Sequence, residues 1–189
     1  MIYTQVTAPK YRAVSLNDAK AHLKTSGTDD DARIQTYIDS AIQYVENFTG
    51  RALITQTWDQ YFDGFPWAAL VLAKAPLQSV SSITYSDSDN ATRTLGTSIY
   101  TVDINHDPGR VYLAFNQTWP TAAVKPKAIK VEFIAGYGDD AASVPESLKQ
   151  AILLRTQMLY EQPINYDYEG LDNAVNALLT PYRLNYQIQ

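Results

Sequence analysis

The hydrophobic period of this chain changes twice along its length, and that change limits the folds open to it. In residues 31–50 apolar side chains recur three and four positions apart, which predicts a helix buried along a broad face. Between residues 53 and 135 this period disappears, and turn signals separate short runs of β-branched and aromatic residues. The helical period returns from residue 144. The sequence therefore predicts an α+β fold in which helices flank a β region.

Two helices are expected before the β region. Ser15 and Asp18 form a relative of the capping box at the start of the first helix, and Gly27 is expected to end it. The second helix opens at the acidic run 29–31, whose charges favour the positive end of the helix dipole, and Gly50 stops it in the C′ position.

Two further helices are expected after the β region. Pro145 marks the start of the third, and Pro163 ends it. A last amphipathic stretch, residues 171–179, stops at Thr180-Pro181. Because each helix must cover an apolar face, the simplest solution is a small helical bundle from which the β region projects as an insertion.

The β region is expected to be an antiparallel sheet or small barrel. Its turns are predicted at residues 87–90 and 106–109, where Pro108 fixes φ and Gly109 tolerates a positive φ. The candidate strands are residues 55–62, 70–73, 80–85, 99–102, 110–113 and 128–135. The resulting organisation is an N-terminal arm or edge element (1–14), a first helical part (15–50), an inserted β module (51–138), a second helical part (139–180) and a C-terminal tail (181–189).

Charge and composition exclude several classes of protein. Fifteen Lys and Arg residues against 20 Asp and Glu residues give a net charge of -5, which disfavours non-specific binding to nucleic acid. The absence of cysteine excludes disulfide scaffolds and thiolate zinc sites. No apolar run approaches the length of a membrane span, and the N-terminus lacks the pattern of a secretory signal, so we expect neither membrane insertion nor secretion.

Local motifs indicate no catalytic or metal site. His22 and His106 have no partner nearby in the sequence, so surface or capping roles are expected for both. Asp87 and Asp89 resemble the start of a calcium loop, but the Gly and Glu that such a loop requires are missing. The carboxylates of residues 29–31 are explained by the helix dipole.

Two alternatives remain open. One is a hydrolase that uses scattered carboxylates, but local spacing brings no pair of them together; the candidates are Asp59, Asp63, Asp103 and Glu132. The other is a free-standing module that binds carbohydrate or protein through Trp58, Trp67 and Trp119, although core positions explain these tryptophans more simply.

The C-terminal end is rich in tyrosine, a residue suited to protein contacts because it combines apolar area with a hydroxyl group. The last residues, YRLNYQIQ, have too little apolar content to fold alone and are expected to become ordered on a partner. The tyrosines of this end are Tyr160, Tyr166, Tyr168, Tyr182 and Tyr186.

Several segments occur in a characteristic order, namely SLNDAKAHLK, YVENFTGRALITQTWD, APLQSVSSITY, PGRVYL, AIKVEFIAGYGDDAASVPESLKQAILL and NALLTPYR. In this combination, over roughly residues 15–184, the chain resembles the head-to-tail connector, or adaptor, proteins of long-tailed bacteriophages and prophages. It departs from the expected pattern in its N-terminal arm and in the NYDYEG loop from Asn165.

The resemblance implies a structural role in the virion, with no catalytic centre, cofactor or metal. It implies a ring of about a dozen copies that docks beneath the portal protein, meets tail-completion and tail proteins on its other side, and extends a channel through which DNA passes without specific binding. Synthesis in the host cytoplasm is expected. The implied portal-binding tail consists of Pro181, Tyr182, Arg183, Leu184, Asn185, Tyr186, Gln187, Ile188 and Gln189.

Overall fold

The computed structural model describes residues 2–161 and 169–184, which form two compact units. A β unit contains residues 2–9 and 55–137, and a helical unit contains residues 10–54 together with the described residues from 138 to 184. The predicted α+β class is confirmed. The helices are α1 (Leu16–Leu23), α2 (Asp31–Thr49), α3 (Glu146–Glu161) and α4 (Glu169–Leu179), with 3-10 turns at Ala141–Ser143 and Thr180–Tyr182.

Helix α2 forms the centre of the helical unit. The side chains of Ile34 and Ile38 are fully buried and pack with Ala19 of α1. Gly50 ends α2 with a φ of 76°, and its N–H donates to the carbonyl of Glu46 over 3.0 Å. A left-handed residue at this position suits glycine, which has no Cβ to clash, so the predicted helix end is confirmed.

Helix α1 begins as predicted but ends earlier. The Ser15 hydroxyl accepts from the Asp18 N–H, and the Asp18 carboxylate accepts from the Ser15 N–H, so the capping box is complete. The expectation that Gly27 ends the helix is wrong. Lys24 takes the left-handed position with a φ of 53°, and Gly27 lies three residues beyond it in the loop.

The β unit consists of two antiparallel sheets. One sheet has five strands in the order β1-β2-β8-β4-β5, and the other has three in the order β3-β7-β6. Of the two predicted alternatives, an antiparallel sheet or a small barrel, the described residues show antiparallel sheets. The strands are β1 (Ile2–Thr7), β2 (Gln56–Phe62), β3 (Ala69–Val71), β4 (Leu77–Ser86), β5 (Thr92–Thr94), β6 (Tyr100–Asp103), β7 (Arg110–Leu113) and β8 (Ile129–Ala135).

Strand β8 is central because both of its edges are paired, with β2 on one side and β4 on the other. Its buried side chains alternate with half-buried ones, as the two-residue period of a strand requires when one face meets the core. The buried residues are Ile129, Val131, Phe133 and Ala135.

The sequence missed one strand and misplaced another. Strand β5 has the sequence Thr-Arg-Thr, which offers no apolar alternation, and it is held only by its hairpin with β4. The predicted strand 70–73 is in fact Ala69–Val71, and Leu72 and Ala73 are buried beyond its end. Residues 2–7, in the region predicted as an arm or edge element, form β1, which pairs with β2 and lies at the edge of its sheet.

Gly109 is required for a reason other than the one predicted. It does not have a positive φ. Instead, a Cβ at this position would lie 2.5 Å from the Cβ of Leu77, closer than real atoms approach. Its carbonyl accepts from the Leu72 N–H over 3.0 Å, so the turn is held against the core. The constraint is lack of space beside β4.

We expect Gly109→Ala to destabilise the β unit by about 2 kcal/mol, because the added methyl group overpacks a site that cannot move without displacing Leu77. The measurement is chemical denaturation followed by circular dichroism. Gly64→Ala is the matched control, since a Cβ there meets nothing within 4 Å. Equal stability of the two variants would contradict the steric explanation.

Candidate functional site

The predicted portal-binding tail falls into two parts. Pro181, Tyr182, Arg183 and Leu184 belong to the described residues, whereas residues 185–189 lie outside them. The described part continues directly from α4 through the 3-10 turn Thr180–Tyr182. The helix that was expected to stop at Thr180-Pro181 therefore changes there from α-helical to the narrower 3-10 geometry for its last turn.

Hydrogen bonds to main-chain carbonyls fix this first part of the tail beside the end of α2. The Arg51 Nε donates to the Tyr182 carbonyl over 2.6 Å. The Leu184 N–H donates to the Thr49 carbonyl over 2.9 Å. The Thr49 carbonyl belongs to the last turn of α2, where carbonyls have no partner within their own helix, so the tail satisfies one of them. The Leu184 side chain is 7% exposed and packs as part of the core.

Arginine–aromatic contacts reinforce the same region. The Arg183 guanidinium lies 5.5 Å from the centre of the Phe48 ring, and Phe48 stacks on Tyr44. On the next turn Arg155 of α3 covers Tyr44 at 4.5 Å and pairs with Asp172 of α4 at 3.0 Å. These contacts join α2, α3, α4 and residue 183. Residues 181–184 are consequently held on the helical unit, although Pro181 and Arg183 are exposed.

The tyrosines near this end have different environments. The Tyr160 hydroxyl donates to an Asp30 oxygen over 2.9 Å, and the Arg33 guanidinium lies 5.1 Å from its ring centre. Tyr160 also packs against the core of α1 and α2, which makes it a half-buried structural residue. The predictions for Tyr166, Tyr168 and Tyr186, and for most of the NYDYEG loop, lie outside the described residues.

The structure brings together two of the four candidate hydrolase carboxylates. Asp59 of β2 and Glu132 of β8 are cross-strand partners, and Lys130 lies between them, 3.2 Å from Asp59 and 3.8 Å from Glu132. Burial favours the neutral amine of Lys130, but the hydrogen bond to Asp59 and the charges of both carboxylates outweigh it, so its pKa is raised. The arrangement is a structural ion cluster.

The other two carboxylates cap loops. Asp63 accepts from the Lys127 N–H over 2.8 Å, and Asp103 accepts from the Asn105 N–H over 3.0 Å. Such side-chain to backbone bonds are typical of turns. Neither contact suggests chemistry on a substrate.

The acidic motifs are likewise used within the fold. Asp87 accepts from its hairpin loop and from Arg93, whose hydrogen bond is the largest cause of the lowered pKa of Asp87. At the start of α2, Asp30 pairs with Arg33 at 3.0 Å and Asp31 with Lys20 at 2.6 Å. Within residues 2–161 and 169–184, no three His, Asp or Glu side chains converge closely enough to hold a metal ion.

The two histidines lie in separate units. His22 of α1 is half-buried and forms a 3.0 Å hydrogen bond with Gln157 of α3. His106 is exposed in the turn before β7. In the part of the chain that the structure describes, no helix is long and apolar enough to cross a membrane.

The interpretation of the tryptophans as core residues is wrong for Trp67. Its side chain is 100% exposed. Trp119 is half-buried and stacks on Phe65, with ring centres 4.8 Å apart and planes within 7°. Trp58, also half-buried, makes an edge contact with Tyr3 at 5.7 Å. The three tryptophans thus differ in burial and in ring contacts, and these differences become visible only in the folded chain.

Trp67 and Trp119 lie in two loops that line one groove. Residues 63–67 and 119–124 line an open groove of about 560 Å³ within the β unit, and we call this feature the Trp67 groove. The sequence raises binding through Trp67 and Trp119 as an alternative, but it does not show that these two line one groove without Trp58. The available signal was the pairing of aromatic residues with proline in non-strand segments, Phe65-Pro66-Trp67 and Trp119-Pro120.

Comparison with known proteins gives a family and a fold. The family model for head completion proteins matches residues 13–169. Three solved structures cover 100% of this chain, and this chain covers 98% of each. They are the neck of an empty gene transfer agent particle computed with C6 symmetry (21% identity, TM-score 0.82), the virion of the native particle (21%, 0.80) and the neck of the native particle computed with C12 symmetry (20%, 0.78).

No curated protein matches the chain at a significant level. At these identities the three structures show that the fold is shared across the full length of the chain. The family model covers most of the sequence, including α1 to α3 and the strands from β2 to β8. The chain thus belongs to the head completion protein family, a family of structural proteins of the virion head-tail connector.

Proposed function

We propose that this protein is an adaptor that docks as a ring of about twelve copies beneath the portal and joins the bacteriophage capsid to its tail. Each copy contacts two neighbours, the portal on one side and tail-completion or tail proteins on the other. Residues 185–189 bind the portal. The protein is made in the host cytoplasm and functions in the virion.

The attachment of Leu184 to the helical unit is the observation that carries this proposal. Leu184 is buried and its N–H is bonded to Thr49, so the five following residues start from a defined point on the helical unit. Those residues, NYQIQ, alternate polar and apolar side chains and carry no charge. A short alternating segment of this kind suits binding in an extended conformation to a groove or sheet edge of a partner.

The charge of the chain is compatible with a DNA conduit. The net charge of -5 makes the field around the protein repel packaged DNA, so DNA passes without adhering to the wall. Catalysis has no place in the proposal, because Lys130 forms ion pairs with both Asp59 and Glu132, the candidate carboxylates that share a strand pairing.

Mixing the full-length chain with its purified portal tests the proposal. We expect electron microscopy to show an added ring of about twelve copies at one face of the portal, because a cyclic assembly must close. A portal from an unrelated phage is the control. Absence of added density at micromolar concentrations of the chain would contradict the proposal.

A further inference from the structure

Exposed apolar side chains concentrate in the β unit. Among the described residues, eight large hydrophobic side chains are exposed, and the helical unit contributes only Tyr11. Single exposed apolar residues are common on any protein, so only those that share one surface feature indicate a contact site. The seven of the β unit are Ile2, Tyr3, Val6, Trp67, Ile104, Phe115 and Val124.

The charges are distributed in the opposite way. By sequence, the helical unit has 13 acidic and nine basic side chains, a net charge of -4, whereas the β unit has seven acidic and six basic ones, a net charge of -1. Two copies of one chain carry the same charges, and opposing like charges across an interface is costly. Contacts between copies are therefore favoured through the β units.

The Trp67 groove has the composition of an interface centre. Trp67 is fully exposed and lines the groove together with the stacked rings of Phe65 and Trp119, and Val124 of the same lining is exposed as well. The carboxylate of Asp63, the one charged side chain of its lining, is bonded to the Lys127 N–H. Interface centres are depleted of charge and enriched in tryptophan, which often carries a large share of the binding energy.

Strand β1 offers a second, different apolar patch. Its sequence Ile-Tyr-Thr-Gln-Val-Thr has no charged residue, and it lies at the edge of the five-stranded sheet. The Tyr3 ring contacts Trp58 and Lys74. Ile2 and Val6 are 50% and 53% exposed, and Val6 lies at a β-bulge, because the pairing with β2 passes from Gln5 directly to Thr7. Because a bulge disfavours extension of a sheet at its edge, this uncharged strand offers another chain its exposed apolar side chains.

We propose that neighbouring copies meet through these two patches, the Trp67 groove of one copy and β1 of the next. The inference rests on the proposed ring, because a cyclic assembly uses heterologous contacts in which one patch meets a different patch of the neighbour. Burial of Trp67 by Ile2 and Val6 supplies the apolar area, and the near neutrality of both patches avoids repulsion between identical subunits.

The first test measures how the portal fills with copies. We expect Trp67→Ala to raise the concentration for half-saturation by at least about tenfold and to abolish cooperative filling, since each copy then binds through its tail alone. Phe115→Ala is the matched control, because Phe115 is 91% exposed in the same unit but outside the groove, and it should fill the portal like the native chain. Both variants should keep the native melting temperature.

The second test does not require the portal. The chain has no cysteine, so a thiol cross-linker acts only at introduced positions. A mixture of Trp67→Cys and Val6→Cys chains, at high concentration and again with the portal, should give a mixed dimer. Either variant alone should give none, because a heterologous contact does not place a patch against itself.

The outcomes separate the two proposals. A mixed cross-link in a chain that does not bind the portal supports the contact and contradicts portal docking. Native-like filling by Trp67→Ala, dimers of Trp67→Cys alone, or no mixed product with and without the portal would each overturn the contact. Loss of binding to a tail protein by Trp67→Ala, with normal ring filling, would assign the groove to that partner instead.

Discussion

Cutting the chain after Leu184 is expected to reduce portal binding by at least about a hundredfold while leaving the melting temperature unchanged. The cut removes only residues 185–189, which follow the buried Leu184, the last residue that the structure describes. No described contact is lost, so the fold has no reason to weaken. The measurements are equilibrium binding to immobilised portal and thermal unfolding of the free chain.

A cut after Thr180 serves as the contrasting variant. It also removes the carbonyl that accepts from Arg51, the Arg183 contact with Phe48 and the buried Leu184 side chain. Loss of a buried leucine alone costs about 3 kcal/mol, so this variant should be less stable as well as unable to bind. If the chain cut after Leu184 binds the portal normally, the anchor is not in its last five residues.

Much of the fold could be predicted because its elements are locally consistent. The buried face of α2 and its end at Gly50 follow from spacing and from the conformational freedom of glycine, and the structure confirms both. The alternation of β8 is equally clear, because one of its faces meets the core along its whole length. Each of these signals is contained in a few consecutive residues.

The remaining features depend on residues far apart in the sequence. Strand β5 is defined only by its pairing with β4, and the need for Gly109 comes from its distance to Leu77. The Trp67 groove requires two loops separated by about fifty residues, a separation that no local pattern reports. The hydrogen bond of Leu184 to Thr49 and the burial of its side chain likewise depend on residues far from the tail in the sequence.

The role of Gln60 also depends on residues far away in the sequence, and its substitution is expected to give the second large loss of stability. It lies on β2 and is fully buried, although glutamine is usually exposed. Its Nε2 donates to the Val71 carbonyl over 2.9 Å, and its Oε1 accepts from the Ala73 N–H over 2.7 Å. One amide side chain of the five-stranded sheet thus bonds to β3 of the three-stranded sheet and to the segment directly after β3.

We expect Gln60→Leu to destabilise the β unit by about 3 kcal/mol, although leucine is apolar and of similar size. The Val71 carbonyl and the Ala73 N–H each lose a partner inside the protein, and each lost buried hydrogen bond costs about 1–3 kcal/mol. Differential scanning calorimetry should show a fall of roughly 6–12 °C in the melting temperature.

Gln78→Leu is the control, because the Gln78 side chain also makes two hydrogen bonds, to Thr55 and Gly136, but is exposed to water that replaces them. Its stability should change by less than about 0.5 kcal/mol. Equal effects of the two substitutions would mean that the buried amide does not hold the two sheets together.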